Sequence, residues 1–178
     1  SSDGATVFVG TQSPDNKLYA VNTADGTKKW EFLTGDGVQS SPAVSSDGAT
    51  VFVGSRDKKL YAINVADGSK KWEFRTAWYT RGGLVLSSPA LSSDGATVFV
   101  GCFDDKLYAV NTADGTKKWE CLTGGDVWSS PALSSDGATV FVGTQSPGHK
   151  LYAAHPAAGT KKWELLTGDG GQASPAVR

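Results

Sequence analysis

The chain has 178 residues, 17 basic and 18 acidic side chains, a net charge of −1 and two cysteines. A chain of this size is one domain or one repeat array, and its balanced charge lacks the basic footprint of a nucleic-acid binder. No apolar stretch approaches the ~20 residues that span a bilayer, and 22 glycines among short Val, Phe, Tyr and Leu runs point to an all-β protein.

The string Ser-Ser-Asp-Gly-Ala-Thr-Val-Phe-Val-Gly opens four copies of one unit, at Ser1, Ser45, Ser92 and Ser134. The copies run 1–44, 45–91, 92–133 and 134–177, with Arg178 left over, and form a single repeat domain over 1–178. The chain starts at Ser1 and contains no Met, which reads as a trimmed or engineered array and leaves its compartment unreadable.

Each copy carries four strand signals, taken here in the first. Residues 6–9 are β-branched and aromatic. Residues 18–21 alternate, with Leu18 and Ala20 on one face and Tyr19 and Val21 on the other. Residues 29–32 set Trp30 and Phe32 against Glu31. Residues 40–44 form a short small-residue strand whose Pro42 cannot donate to a ladder and so belongs on an edge. Asp3-Gly4 and Asp25-Gly26 supply the turns. Four antiparallel strands in each of four copies, 42 to 47 residues long, are the pattern of a β-propeller.

The run Ala20-Val-Asn22-Thr-Ala-Asp25-Gly26-Thr-Lys-Lys-Trp30 recurs at Ala62 to Trp72 and Ala109 to Trp119. It resembles the tryptophan-docking motif of the pyrroloquinoline-quinone (PQQ) repeat, found in quinoprotein alcohol dehydrogenase-like propellers, and the resemblance covers the whole chain. It implies that Trp30, Trp72, Trp119 and Trp163 pack between blades against the turn glycines of the series Gly26, Gly68, Gly115 and Gly159. Copy four departs from the pattern, with His155-Pro156 and with Ala158 in place of the turn Asp. It is expected to be the least regular blade.

The family strand order puts Ser-Pro-Ala-Val innermost and Lys-Lys-Trp-Glu outermost. The chain then begins on the second strand of a blade, and residues 173–177 supply one inner strand in excess. A "Velcro" closure onto the N-terminal blade is expected, within the chain as a four-bladed monomer or between chains as an eight-bladed twofold homodimer. Family rings usually carry seven or eight blades and twofold dimers are the commonest oligomers, so the dimer by strand exchange is the preferred expectation.

Comparing the copies separates two ring faces. The Ser-Ser-Asp-Gly-Ala-Thr turns are identical, whereas the second-to-third and fourth-to-first connections vary, at 11–16, 55–58, 102–105 and 144–149 and at an insertion, 77–83. Trp78, Trp128 and Tyr79 are the Trp and Tyr residues outside the repeat register. With Arg81, Phe103 and Asp104 they are the candidate ligand-binding residues, for a sugar, peptide or planar ligand. The competing reading is an insertion that packs on its own scaffold or plugs the channel.

Catalytic residues, metal and cofactor are all read as none. Cys102 and Cys121 are not adjacent, unlike the paired cysteines of PQQ dehydrogenases, and a strand between them implies a separation of about 9–10 Å, too long for a disulfide. His149 and His155 stand in no ligand-spaced cluster. Asp104-Asp105 reads as a solvated turn, and the Lys-Lys-Trp-Glu runs as a solubilising rim. The functional reading is a non-enzymatic scaffold or interaction module with no nucleic-acid or membrane partner. Its alternatives are a small-ligand or glycan-binding propeller and a PQQ-binding quinoprotein fragment.

Overall fold

Strand polarity and turn chemistry generate one three-stranded and three four-stranded sheets in the computed structural model, which describes residues 4–76, 82–145, 147–168 and 173–177. Blade one contains β1 (Thr6–Gly10), β2 (Lys17–Asn22) and β3 (Lys28–Leu33). Blade two contains β4 (Ala43–Val44), β5 (Thr50–Ser55), β6 (Lys59–Asn64) and β7 (Lys70–Arg75). Blade three contains β8 (Ala90–Leu91), β9 (Thr97–Cys102), β10 (Lys106–Asn111) and β11 (Lys117–Leu122). Blade four contains β12 (Ala132–Leu133), β13 (Val140–Gly143), β14 (Lys150–Ala154) and β15 (Lys161–Leu166). Neighbours in sequence are neighbours in each sheet and all pair antiparallel.

The turns close on their own side chains. Asp47 Oδ1 accepts the Ala49 amide at 2.9 Å and Ser45 Oγ accepts the Thr50 amide at 2.9 Å. The same bonds recur around Asp94 and Asp136. In the β2–β3 turn, Asp25 Oδ1 accepts both the amide and the hydroxyl of Thr27. A register shift between Ala20 and Val21 follows, and it is repeated in the other three blades; an extra residue of this kind bends the strand and re-aims its side chains. Ala158 cannot make the Asp bond, but the Gly159 amide still reaches the His155 carbonyl at 2.8 Å. Blade four has the shorter strands β13 and β14, of 4 and 5 residues against 6 and 6 in blades two and three.

The innermost strand is shorter than the span 40–44 expected from sequence, with only Ala43 and Val44 in the ladder. Pro42 interrupts it, and the Ser40 hydroxyl takes over: it accepts the Gly54 amide at 2.8 Å and donates to the Gly54 carbonyl at 3.0 Å. Ser87 with Gly101 and Ser129 with Gly143 do the same. Next to these lies a second serine series. The Ser41 amide donates to Ser88 Oγ, the Ser88 amide to Ser130 Oγ, and the Ser130 amide to Ser174 Oγ, at 2.9, 3.0 and 2.9 Å.

The core lies between blades, so the middle strands β5 and β9 are buried along their whole length. Both faces of an interior sheet pack on a neighbour, which removes the polar alternation of a half-exposed strand. Phe52, Leu60, Ala62 and Trp72 of blade two pack with Val98, Val100, Tyr108 and Val110 of blade three. Close approach needs glycine at the end of the second strand: a Cβ on Gly54 or Gly101 would lie 2.5 or 2.2 Å from a Val85 or Val127 methyl.

The two ends of the array differ from its interior. Val7 and Val9 are 50% and 48% exposed, whereas their counterparts Val51, Val53, Val98 and Val100 are fully buried. At the other end Trp163 and Leu165 are 44% and 58% exposed. Among the described residues β1 pairs with β2 alone, and residues 173–177 form no strand, their Pro175 and Ala176 lying instead beside Leu151 of blade four.

Candidate functional site

The two variable connections do share one face, and hydrogen bonds tie them together. Asn16, Lys58, Asp105 and His149 occupy equivalent loop positions at φ of 53°, 71°, 63° and 41°. That left-handed turn points each carbonyl at the connection leaving the outer strand, where Thr34, Thr76, Thr123 and Thr167 donate to it through amide and hydroxyl. Adjacent blades then interlock, through Arg56 to the Gly37 carbonyl, Phe103 to the Leu84 carbonyl and Gln145 to the Asp126 carbonyl, at 2.9, 3.1 and 2.9 Å.

Of the six candidate residues, Trp78, Tyr79 and Arg81 lie outside the described residues. Phe103 and Trp128 come together, ring centroids 4.5 Å apart and planes at 40°, with Trp128 39% exposed. The described end of the insertion touches the same loop: a Cβ on Gly82 would sit 2.0 Å from the Phe103 carbonyl oxygen. Gly82, in the described end of the insertion, therefore lies against blade three's aromatic loop.

Asp104 is turned inward rather than toward a ligand. Tyr108 donates its hydroxyl to Asp104 Oδ2 at 2.6 Å and lies within 3.0 Å of the Thr76 carbonyl, while Asp104 Oδ1 is buried with no hydrogen-bond partner. The pair Tyr61–Asp57 repeats this, and Asp57 also accepts the Gly35 amide of the preceding connection. These tyrosine hydroxyls are pushed far above the ordinary phenol range by burial and then by the neighbouring carboxylate. An Asp four residues before the Tyr in copies one to three was the available sequence signal; copy four has Gly148 there.

Sequence reasoning missed Asp126. Its carboxyl is raised above the usual range by burial, then by the charge of Asp105 and by that of Asp104. Among the described residues no group of three His, Cys, Asp or Glu side chains could hold a metal ion. Cys102 is fully buried and Cys121 half-buried, both as free thiols. Burial, then the Asp104 charge, pushes the Cys102 thiol up.

The outward rim is ionic. Glu31 accepts from Lys17 and Lys28 at 2.8 Å each, and Glu73, Glu120 and Glu164 sit between equivalent lysine pairs. Between blades, Trp30, Trp72 and Trp119 donate their indole N–H to the carbonyls of Val65, Thr112 and Pro156 at 2.8, 2.9 and 2.8 Å. Each indole lies on a turn glycine at φ of 68–75°; a Cβ on Gly68, Gly115 or Gly159 would meet it at 2.7, 2.7 or 2.5 Å. Gly26 has the same turn and nothing within 4 Å.

This geometry agrees with comparisons to known proteins. The crystal structure of BamB from Moraxella catarrhalis superposes with a TM-score of 0.79 at 18% identity, over 96% of this chain and 52% of that one. A europium-containing methanol dehydrogenase gives 0.79 at 16% identity, over 95% of this chain and 41% of that one. At such identities the likeness is one of fold, a β-propeller, and the chain spans about half the length of these structures or less. Protein Rv3035 of Mycobacterium tuberculosis is 40% identical over 57 residues, 32% of this chain and 13% of that protein. The family model described as outer membrane protein assembly factor BamB matches residues 1–125. The chain thus belongs to the PQQ-like repeat propellers that this model describes.

Proposed function

We propose that the chain is a non-enzymatic propeller scaffold, an interaction module that completes an eight-bladed ring as a twofold homodimer and offers its variable face to a partner. One observation carries the scaffold reading: two acids of that face, Asp57 and Asp104, are engaged in holding the fold by tyrosine hydroxyls 2.6 Å away. The exposed valines of blade one and the exposed Trp163 of blade four support the dimer. Light scattering tests it, with a particle of twice the 18.5 kDa chain mass expected and a monomer at all concentrations fatal.

The residues present do not fit a quinone site of the dehydrogenase kind. Cys102 and Cys121 stand on strands separated by β10, Cys102 is fully buried, and Asp104 is bonded to Tyr108. Mixing the chain with PQQ and calcium should leave no quinone absorbance on the protein after gel filtration. Retained absorbance would restore the quinoprotein reading.

A second reading, a small-ligand or glycan-binding face, is favoured by the Phe103–Trp128 pair. Stacking on a half-exposed indole changes its emission. Titration of mono- and oligosaccharides against tryptophan fluorescence, repeated with Trp128→Ala, decides it; a response that survives the substitution removes this face.

A further inference from the structure

We infer that the two open ends of the array are the halves of one joint, and that a second copy of this chain completes it, Trp163 of one copy closing on the Gly26 turn of the other. The inference rests on the dimer reading and adds its contacts. Three complete joints within the chain supply the pattern. Each brings an indole onto a turn glycine and an indole N–H to the carbonyl two residues after the bulge, and serine amide-to-hydroxyl bonds join blade two to three, three to four, and four to the segment 173–177.

The ends hold the missing components in matching positions. Trp163 packs on Phe141 at 5.7 Å, as Trp30 packs on Phe8 and Trp72 on Phe52, yet is 44% exposed where Trp30 and Trp72 are 9% exposed. Gly26 has the φ of 71° of the occupied turns and an empty space over it. By equivalence with Val65, Thr112 and Pro156, the acceptor for the Trp163 indole N–H is the Thr23 carbonyl of the second copy. Val7 and Val9, half exposed, would be covered by the Trp163 and Leu165 face, as Val51 and Val53 are covered by blade one.

The inner strand follows by the same equivalence. Ala43 pairs with Phe52 and Val44 with Val51, and blades three and four repeat the register with Ala90–Phe99, Leu91–Val98, Ala132–Phe141 and Leu133–Val140. Ala176 would therefore pair with Phe8, and Val177 with Val7, of the second copy. Ser174 already accepts the Ser130 amide, so its place beside blade four is occupied and its own amide is directed to Ser41 of the second copy. Four serines from each chain would then make a closed circle of eight.

One component is missing. Where Ser40, Ser87 and Ser129 clamp Gly54, Gly101 and Gly143, the joint has Ala173 opposite Gly10. The joint between copies is therefore weaker than those within the chain, by two hydrogen bonds.

The experiment is light scattering over a dilution series with three variants of the full chain. Gly26→Ala should raise the dimer dissociation constant about a hundredfold or more, because its Cβ would enter the Trp163 indole. Gly124→Ala, at φ of 81° and likewise with nothing within 4 Å, carries the same backbone strain away from the joint and should leave the constant unchanged. Ala173→Ser should tighten the dimer about tenfold by restoring the clamp on Gly10. A wild-type dimer that Gly26→Ala leaves intact overturns this joint and spares the dimer reading. A wild-type chain that stays monomeric overturns both. Equal weakening by Gly26→Ala and Gly124→Ala overturns the joint as well, since strain alone would then account for the effect.

Discussion

Tyr108 and Asp104 form the link between the core of blade three and its variable loop, the hydroxyl donating to Oδ2 at 2.6 Å from a side chain that is 1% exposed. Tyr108→Phe removes the only hydrogen-bond donor of that ring while keeping its packing. A hydrogen bond to a charged group contributes ~1.5–3 kcal/mol, so a loss of about 2 kcal/mol is expected, read as a lower urea midpoint with an unchanged slope. An unchanged midpoint would show the pair to be incidental.

The turn glycines offer a graded test. Gly115→Ala would place a Cβ 2.7 Å from the Trp72 indole at φ of 74°, whereas Gly124→Ala meets nothing within 4 Å at φ of 81°. Left-handed strain costs ~1–2 kcal/mol at either position. Overpacking adds ~1–3 kcal/mol at Gly115 alone. Denaturant unfolding should rank Gly115→Ala well below Gly124→Ala, and equal costs would refute the steric account of the docking turn.

Acid should weaken the rim in a defined window. The Glu31 carboxylate is held at about 2, below its ordinary 4.5, by hydrogen bonds from Lys17 and then Lys28. A depressed carboxylate stabilises the fold above its unfolded value and loses that contribution as pH falls through the folded one. The difference in thermal midpoint between wild type and Glu31→Gln should therefore be greatest above pH 4.5 and vanish toward pH 2. The group is exposed, so high salt should shrink the difference at every pH. A difference constant from pH 6 to 2 would contradict the ion-pair origin.

Asp126 carries the opposite sign. Its carboxyl is raised from 3.8 by burial and by the charges of Asp105 and Asp104, so ionisation opposes folding as pH rises through that raised value. Asp126→Asn should raise the melting temperature at pH 7 and leave it unchanged at pH 3. A lower melting temperature at pH 7 would mean that the carboxylate has a favourable partner.

Thiol chemistry should separate the two cysteines. Burial pushes both thiols up, but Cys102 is fully buried whereas Cys121 is half-buried. The thiolate is the reactive form. Iodoacetamide at pH 8 should label Cys121 first and Cys102 only on unfolding, as read by peptide mass; the reverse order would place Cys102 at the surface.

The strands and turns were legible because each copy states the same pattern: Leu18 and Ala20 alternate with Tyr19, and Asp25-Gly26 marks its turn. The inner strand was legible only in part, since Ser40 replaces ladder bonds by a hydroxyl and no strand propensity encodes that. Comparing copies picked out the two connections that Thr34, Thr76, Thr123 and Thr167 tie together. The inward turn of Asp104 was not legible, because a loop carboxylate looks solvated until the tyrosine four residues on is seen to reach back. Asp126 escaped notice for a similar reason: its neighbours Asp104 and Asp105 belong to a different connection of the chain.

The serine series has a direction. From Ser41 to Ser88 to Ser130 to Ser174 every amide gives to the hydroxyl of the blade ahead, and none gives backward. The array is therefore a vector, with an acceptor at its head and a donor at its tail. Two arrays brought tail to tail would present N–H to N–H. In the dimer proposed above, the circulating sense is the one that brings the Ser174 amide of one copy to the Ser41 hydroxyl of the other, as in the bonds already made within the chain.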